Sequence, residues 1–146
     1  MADILELMEN LHSKNNKIAC GAMQELEKEI DRTNEVYQYF DQFSDMLESS
    51  NSYVRNRGLI LIAANAKWDE DNKIDEIIDI YLEHITDDKP ITARQCIKGL
   101  PNIAKYKPDL KEIIKTALSS ANVSNYPESM RPLVQKDILN ALKCIK

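Results

Sequence analysis

Glycine is scarce in this 146-residue chain: Gly21, Gly58 and Gly99 are all there are. Each stands alone inside a stretch with helical periodicity. No Gly-rich loop is therefore available to cradle a phosphate, and neither GxGxxG nor a P-loop occurs. Histidine is scarcer still. His12 and His84 lack the i, i+3 or i+4 spacing of a helical metal site and read as ordinary surface or boundary residues. Cys20, Cys96 and Cys144 are an odd, widely spaced set without a CxxC pair. They read as free, reduced thiols, with Cys20 and Cys96 filling small places in an apolar pattern. No Ser, His and Asp set suggests a triad. The sequence thus points to no catalytic residue, no metal ligand and no cofactor. No apolar run approaches the roughly 20 residues needed to span a bilayer. The start carries Asp3, Glu6 and Glu9 where an export leader would be basic, so the expectation is a cytoplasmic protein that does not enter a membrane.

Apolar residues make up 43% and charged residues 29%, the mixture of an ordinary globular domain rather than of a disordered chain. The length suits one domain, residues 1–146, with a real core. Its charge is unevenly placed. Residues 1–88 hold 8 Lys/Arg against 20 Asp/Glu, a net −12, whereas residues 89–146 hold 11 against 4, a net +7. An acidic half is joined to a basic half.

Apolar residues recur with helical period throughout, and no useful window alternates with period two. The pattern predicts helices over about 3–11, 16–31, 34–48, 52–68, 73–86, 90–106, 108–120 and 129–145, joined by short polar segments. The third, fifth and seventh repeat one another at offsets of 38 and 36 residues. In that register Val36, Ile74 and Leu110 align, as do Tyr39, Ile77 and Ile113, then Phe40, Ile78 and Ile114, with Phe43, Tyr81 and Ala117 continuing the stripe. The alternate helices repeat as well: Lys17, Ala19, Met23 and Leu26 correspond to Arg94, Cys96, Leu100 and Ile103, and again to Lys136, Ile138, Leu142 and Ile145. The copy near 52–68 fits less cleanly. "GLILIAANA" is apolar all round, as suits a helix covered on both sides, and either Arg55 or Arg57 could hold its basic position.

"ARQCIKGLPNIAKY", residues 93–106, resembles the first helix of a HEAT repeat, on Ala93, Arg94, Cys96, Ile97, Gly99, Leu100 and Ile103. The resemblance implies helical pairs of about 40 residues, stacked as a right-handed α-solenoid. Here that means an all-α, HEAT- or armadillo-like superhelix of about three and a half pairs. Pro101 would be the proline that often bends the first helix, since it removes a donor and crowds the carbonyl of Ile97. The three glycines fall in first helices of successive units and read as close-contact points between stacked helices.

In HEAT-like solenoids the second helices line the concave face. The resemblance thereby implies a partner-binding groove in which Asp41, Asp79 and Lys115 are equivalent, as are Asp45, Glu83 and Ser119, then Tyr37, Asp75 and Lys111, then Gln38, Glu76 and Glu112. Such a groove would change from acidic to basic along its length and take a protein partner, making the chain a non-catalytic binding or scaffold module. Nucleic acid is not expected, because phosphates need a basic groove and two of the three inner helices are acidic.

Two other readings remain. Some HEAT-like proteins are DNA alkylation-repair glycosylases that use Trp and Asp, and "WDED", residues 68–71, joins the only tryptophan to three acids. Trp68 is better explained as a cap over the end of its own helix, with the acids as solvated loop. Alternatively, the chain is a self-assembling structural protein. The last helix carries more apolar residues than one stripe needs, leaving Leu139 and part of Leu133 at an open edge that could self-associate weakly.

Overall fold

A computed structural model describes residues 3–145, which are helical with no strand among them. Eight α-helices follow one another: α1 (Ile4–Leu11), α2 (Asn16–Arg32), α3 (Phe40–Met46), α4 (Ser52–Ala64), α5 (Lys73–Glu83), α6 (Pro90–Tyr106), α7 (Lys111–Ser119) and α8 (Arg131–Cys144). The predicted helices are all present. Their ends differ, because single 3₁₀ turns lead into α3 and α7 and close α4 and α5. Tight i+3 bonding of this kind satisfies terminal backbone groups where no side chain does.

The helix starts have local causes. Asn15 and Asn51 have extended backbones, and their side chains accept from the amides of Lys17 and Ile18 and of Tyr53, respectively. The same device stands before each: Ser13 Oγ accepts from Asn15 N, and Ser49 Oγ from Asn51 N, both at 3.1 Å. In α6 Pro90 takes the first helical turn, where its missing N–H costs nothing. Asn72, before α5, is the one non-glycine residue with positive φ among those described, at 57°. It leaves the capping of α5 to Asp69.

The long helices pack in sequence order, α2 against α4, α4 against α6 and α6 against α8. Helix α3 packs on α4, and α7 touches both α6 and α8. In the middle lies α4, whose Gly58, Leu59, Leu61, Ile62 and Ala63 are all buried, as the all-round apolar pattern requires. One continuous core runs from Met8 to Ile145.

Two of the three glycines mark close approaches. A Cβ on Gly58 would lie 2.9 Å from both Met46 Cβ and the Phe43 carbonyl oxygen of α3. On Gly99 it would lie 2.5 Å from the Tyr81 hydroxyl and 2.9 Å from Ala63 Cβ. Gly21 departs from the expectation, with nothing within 4 Å of the corresponding point. Gly21 is exposed, whereas Gly58 is buried and Gly99 half-buried. Helix α6 continues through Pro101. One residue later Asn102 Nδ2 donates to the Ala63 carbonyl at 2.8 Å, tying α6 to α4.

Candidate protein-binding surface

Helices α3, α5 and α7 each bury one stripe and turn the other side outward. Val36, Phe40 and Phe43 are buried in and before α3, Ile74, Ile78 and Tyr81 in α5, and Leu110, Ile114 and Leu118 in and before α7. Ile113 departs from the aligned stripe. It is 41% exposed, whereas its counterparts Tyr39 and Ile77 are half-buried.

Of the residues expected at the groove, Gln38, Asp41, Asp45, Glu76, Asp79 and Glu83 are exposed, and Lys111 and Lys115 half-buried. Asp45, Glu76, Asp79, Glu83, Lys111 and Lys115 make no side-chain bond within the described residues, so their charges face solvent. The others are engaged. Asp41 pairs with Lys73 at 3.2 Å, and Gln38 Nε2 donates to the Glu35 carbonyl at 2.8 Å. Tyr37 and Asp75 belong to an internal network and are not free groove residues.

That network is built on Asp69, and it corrects the reading of "WDED" as solvated loop. Glu70 and Asp71 are exposed, but Asp69 is buried. Its Oδ1 accepts from Tyr37 Oη at 2.6 Å and Lys73 N at 2.9 Å, and its Oδ2 from Ile74 N at 3.0 Å. Lys107 Nζ stands 3.3 Å from the same Oδ2 and also reaches Asn72 Oδ1 at 2.6 Å and Asp75 Oδ1 at 2.9 Å. Burial alone would push the Asp69 carboxyl up; the Tyr37 hydroxyl, the two amides and the Lys107 charge together hold it below the usual range. Burial likewise raises Tyr37, and donation to Asp69 raises it further, well above the ordinary phenol value.

Trp68 is also a cap, though not over its own helix. Its indole Nε1 donates to the Ile30 carbonyl at 2.7 Å, closing the end of α2, while Lys67 Nζ reaches the Asp31 carbonyl at 3.0 Å and lies 5.3 Å from the Trp68 ring. The indole N–H and the Asp69 oxygens are thus already bonded within the chain.

A second buried carboxylate, Asp87, organises the entry to α6. Arg55 reaches it through Nε at 3.0 Å and Nη2 at 2.8 Å, a two-pronged pairing, and adds Asp88 at 3.0 Å and the Ser49 carbonyl at 3.0 Å. His84 Nδ1 lies 2.7 Å from Asp87 Oδ2, Lys89 N donates to Oδ1 at 2.9 Å, and Tyr126 Oη donates to the Asp87 carbonyl. Burial would raise the Asp87 carboxyl, but His84 and Arg55 hold it well below the usual range. Tyr126, buried beside this charge, is pushed up to about 12. Arg94 completes the set by pairing with Asp137 of α8 at 2.6 Å. Of the two arginines of α4, Arg55 is thus the one that is paired.

Sequence reasoning missed both aspartate hubs. A signal existed: each stands just ahead of a helix, four residues before Lys73 and three before Pro90, where a carboxylate can take free amides. It also placed the groove on the second helices alone. Cavities of about 420 and 440 Å³ lie on the other side, between α2, α4 and α6, and one of about 230 Å³ lies between α6 and α8. No protein family, curated protein or solved structure matches this chain. Among the described residues no helix is long and apolar enough to cross a membrane.

Proposed function

We propose that the chain is a non-catalytic protein-binding module built as a HEAT-like solenoid of about three and a half helical pairs. The observation that carries the repeat reading is a set of side-chain ties one repeat apart. Trp68 to Ile30 and Lys107 to Asp69 each span 38 residues, Lys67 to Asp31 spans 36 and Asn102 to Ala63 spans 39. Three of these equal the offsets of 38 and 36 found by aligning the sequence with itself, and the fourth lies one residue beyond. Most of these bonds join the end of one first helix to the end of the next. A stack of similar units makes such contacts with its neighbours alone, and no unit can bury its apolar face by itself.

Binding then falls to the outward charges of the second helices. Asp45 on α3, with Asp79 and Glu83 on α5, offers unneutralised carboxylates for a basic segment of a partner, while Lys111 and Lys115 on α7 offer the opposite charge for an acidic one. Rows of this kind steer encounter and fix orientation more than they add affinity.

The test is affinity capture from native lysate, comparing the natural chain with Asp45→Lys/Asp79→Lys/Glu83→Lys. All three positions are exposed and free of internal bonds, so the variant should keep its helical circular dichroism. Partners retained by the natural chain at low salt should be lost from the variant and weakened by added salt. Retention of the same set by both proteins would remove the second-helix face from the proposal.

A further inference from the structure

Arg57 is buried, at 6% exposure, yet nothing among the described residues neutralises it. Its Nε has no hydrogen-bond partner, and none of the ion pairs among the described residues includes it. A guanidinium does not give up its proton at any ordinary pH, so it stays charged where it is. Burial pulls it below its ordinary value, the neighbouring Cys20 acting the other way, and the net direction marks a cation short of an anion.

Arg57 lines the groove of about 440 Å³ between α2, α4 and α6. Lys17 stands on the α2 wall as a second cation, and Asn56, Tyr53 and Gln95 add polar groups. The Asn56 Oδ1 is also buried without a partner. Among the described residues no carboxylate lines this groove; Glu27 and Asp31 line the adjoining one, which shares Ile60 and Gln95 with it. Arg55 shows what this fold does with a guanidinium used to join helices, giving it Asp87, Asp88 and a carbonyl. Arg57 has been given none of these, and it faces a groove of the size that holds small ligands.

We propose that this groove binds a small organic anion, headed by a phosphate or carboxylate, with the Arg57 fork taking two oxygens and Lys17 adding charge. The planar fork matches either oxyanion in a bidentate manner, and Ile60 gives the body of the ligand an apolar wall.

The experiment is an amide NMR titration of the full chain with phenyl phosphate, benzoate, inorganic phosphate and, as the uncharged control, phenol. Phenyl phosphate or benzoate should shift amides of α2, α4 and α6 around the groove, and whichever binds tighter identifies the head group. Phenol should shift nothing, and inorganic phosphate should bind more weakly than phenyl phosphate. Arg57→Met, which keeps the stem and removes the charge, should weaken binding at least about tenfold, with Arg57→Lys in between. Should Arg57→Met fail to fold, the exposed Lys17→Met carries the test and should weaken binding about threefold to tenfold. No shift with either aromatic anion, or equal shifts in the natural chain and the variants, would overturn the proposal. Equal binding of inorganic phosphate and phenyl phosphate would remove the organic ligand from it.

Discussion

Two arginines two residues apart on α4 open onto different surroundings. Toward the head of α6, Arg55 meets Asp87, Asp88 and the Ser49 carbonyl, and the junction is closed. Toward α2, Arg57 meets a groove without a carboxylate. Both are buried and both stand just ahead of the apolar run Gly58–Ala64, so sequence context alone would give them one role. The difference lies in what the neighbouring elements bring. The turn before α6 carries acids at the level of Arg55, whereas the facing part of α2 carries Lys17 and Cys20. A buried charge joins helices only where the opposite charge arrives from another element, as at Arg55 and not at Arg57.

Removing each arginine separates the two regions most sharply. Arg55→Met leaves Asp87 buried with one fewer partner and should lower stability by about 3–5 kcal/mol in chemical denaturation. Arg57→Met removes an uncompensated cation and should leave stability unchanged or raise it by about 1–2 kcal/mol. Equal losses would mean that Arg57 is structural after all, and the contrast would collapse.

Acid should sharpen the same contrast. Burial raises Asp87 and Asp69, but their partners outweigh it and the folded carboxyls lie below their unfolded values. Their contribution is therefore fully present above the unfolded carboxylate value, about 4, and is lost as pH falls below it toward the folded values. The loss across that descent should be larger for Asp87 than for Asp69, measured by urea unfolding at successive pH values of Asp87→Asn and Asp69→Asn beside the natural chain. Arg55→Met weakens the hold on Asp87 and should flatten the acid limb; Arg57→Met should leave it unchanged.

The glycines give the smallest effects and compare a covered helix with an uncovered one. Gly99→Ala drives a methyl into the Tyr81 hydroxyl and Ala63 and should cost about 1–3 kcal/mol. Gly21→Ala meets nothing within 4 Å and should gain about 0.5–1 kcal/mol from helix propensity. Thermal unfolding of the pair checks both signs.

Much of the helical plan was legible from periodicity, because an apolar stripe at 3.6-residue spacing has one stable use and its period shows locally. The exposure of Leu139, at 59%, and of Leu133, at 39%, followed from counting more apolar residues on α8 than one stripe accepts. The candidate surface was only partly legible. Asp45, Asp79 and Glu83 point outward as their register suggests, but Tyr37 and Asp75, expected on the same outward face, turn inward to Asp69 and Lys107. Their partners are 32 residues away in each case, and no local pattern reports a contact at that distance.

The sequence by itself determined eight helices, most of the apolar residues they bury and the split between an acidic and a basic half. These follow from residue spacing and composition, which act within a few turns of chain. Tertiary structure alone decided that Asp69 and Asp87 are hubs, that Trp68 closes α2, that Gly99 is crowded while Gly21 is not, and that Arg55 is paired while Arg57 is left open. Each of those depends on which groups a second element carries to within about 3 Å, and hydrogen bonds and ion pairs form only at that range.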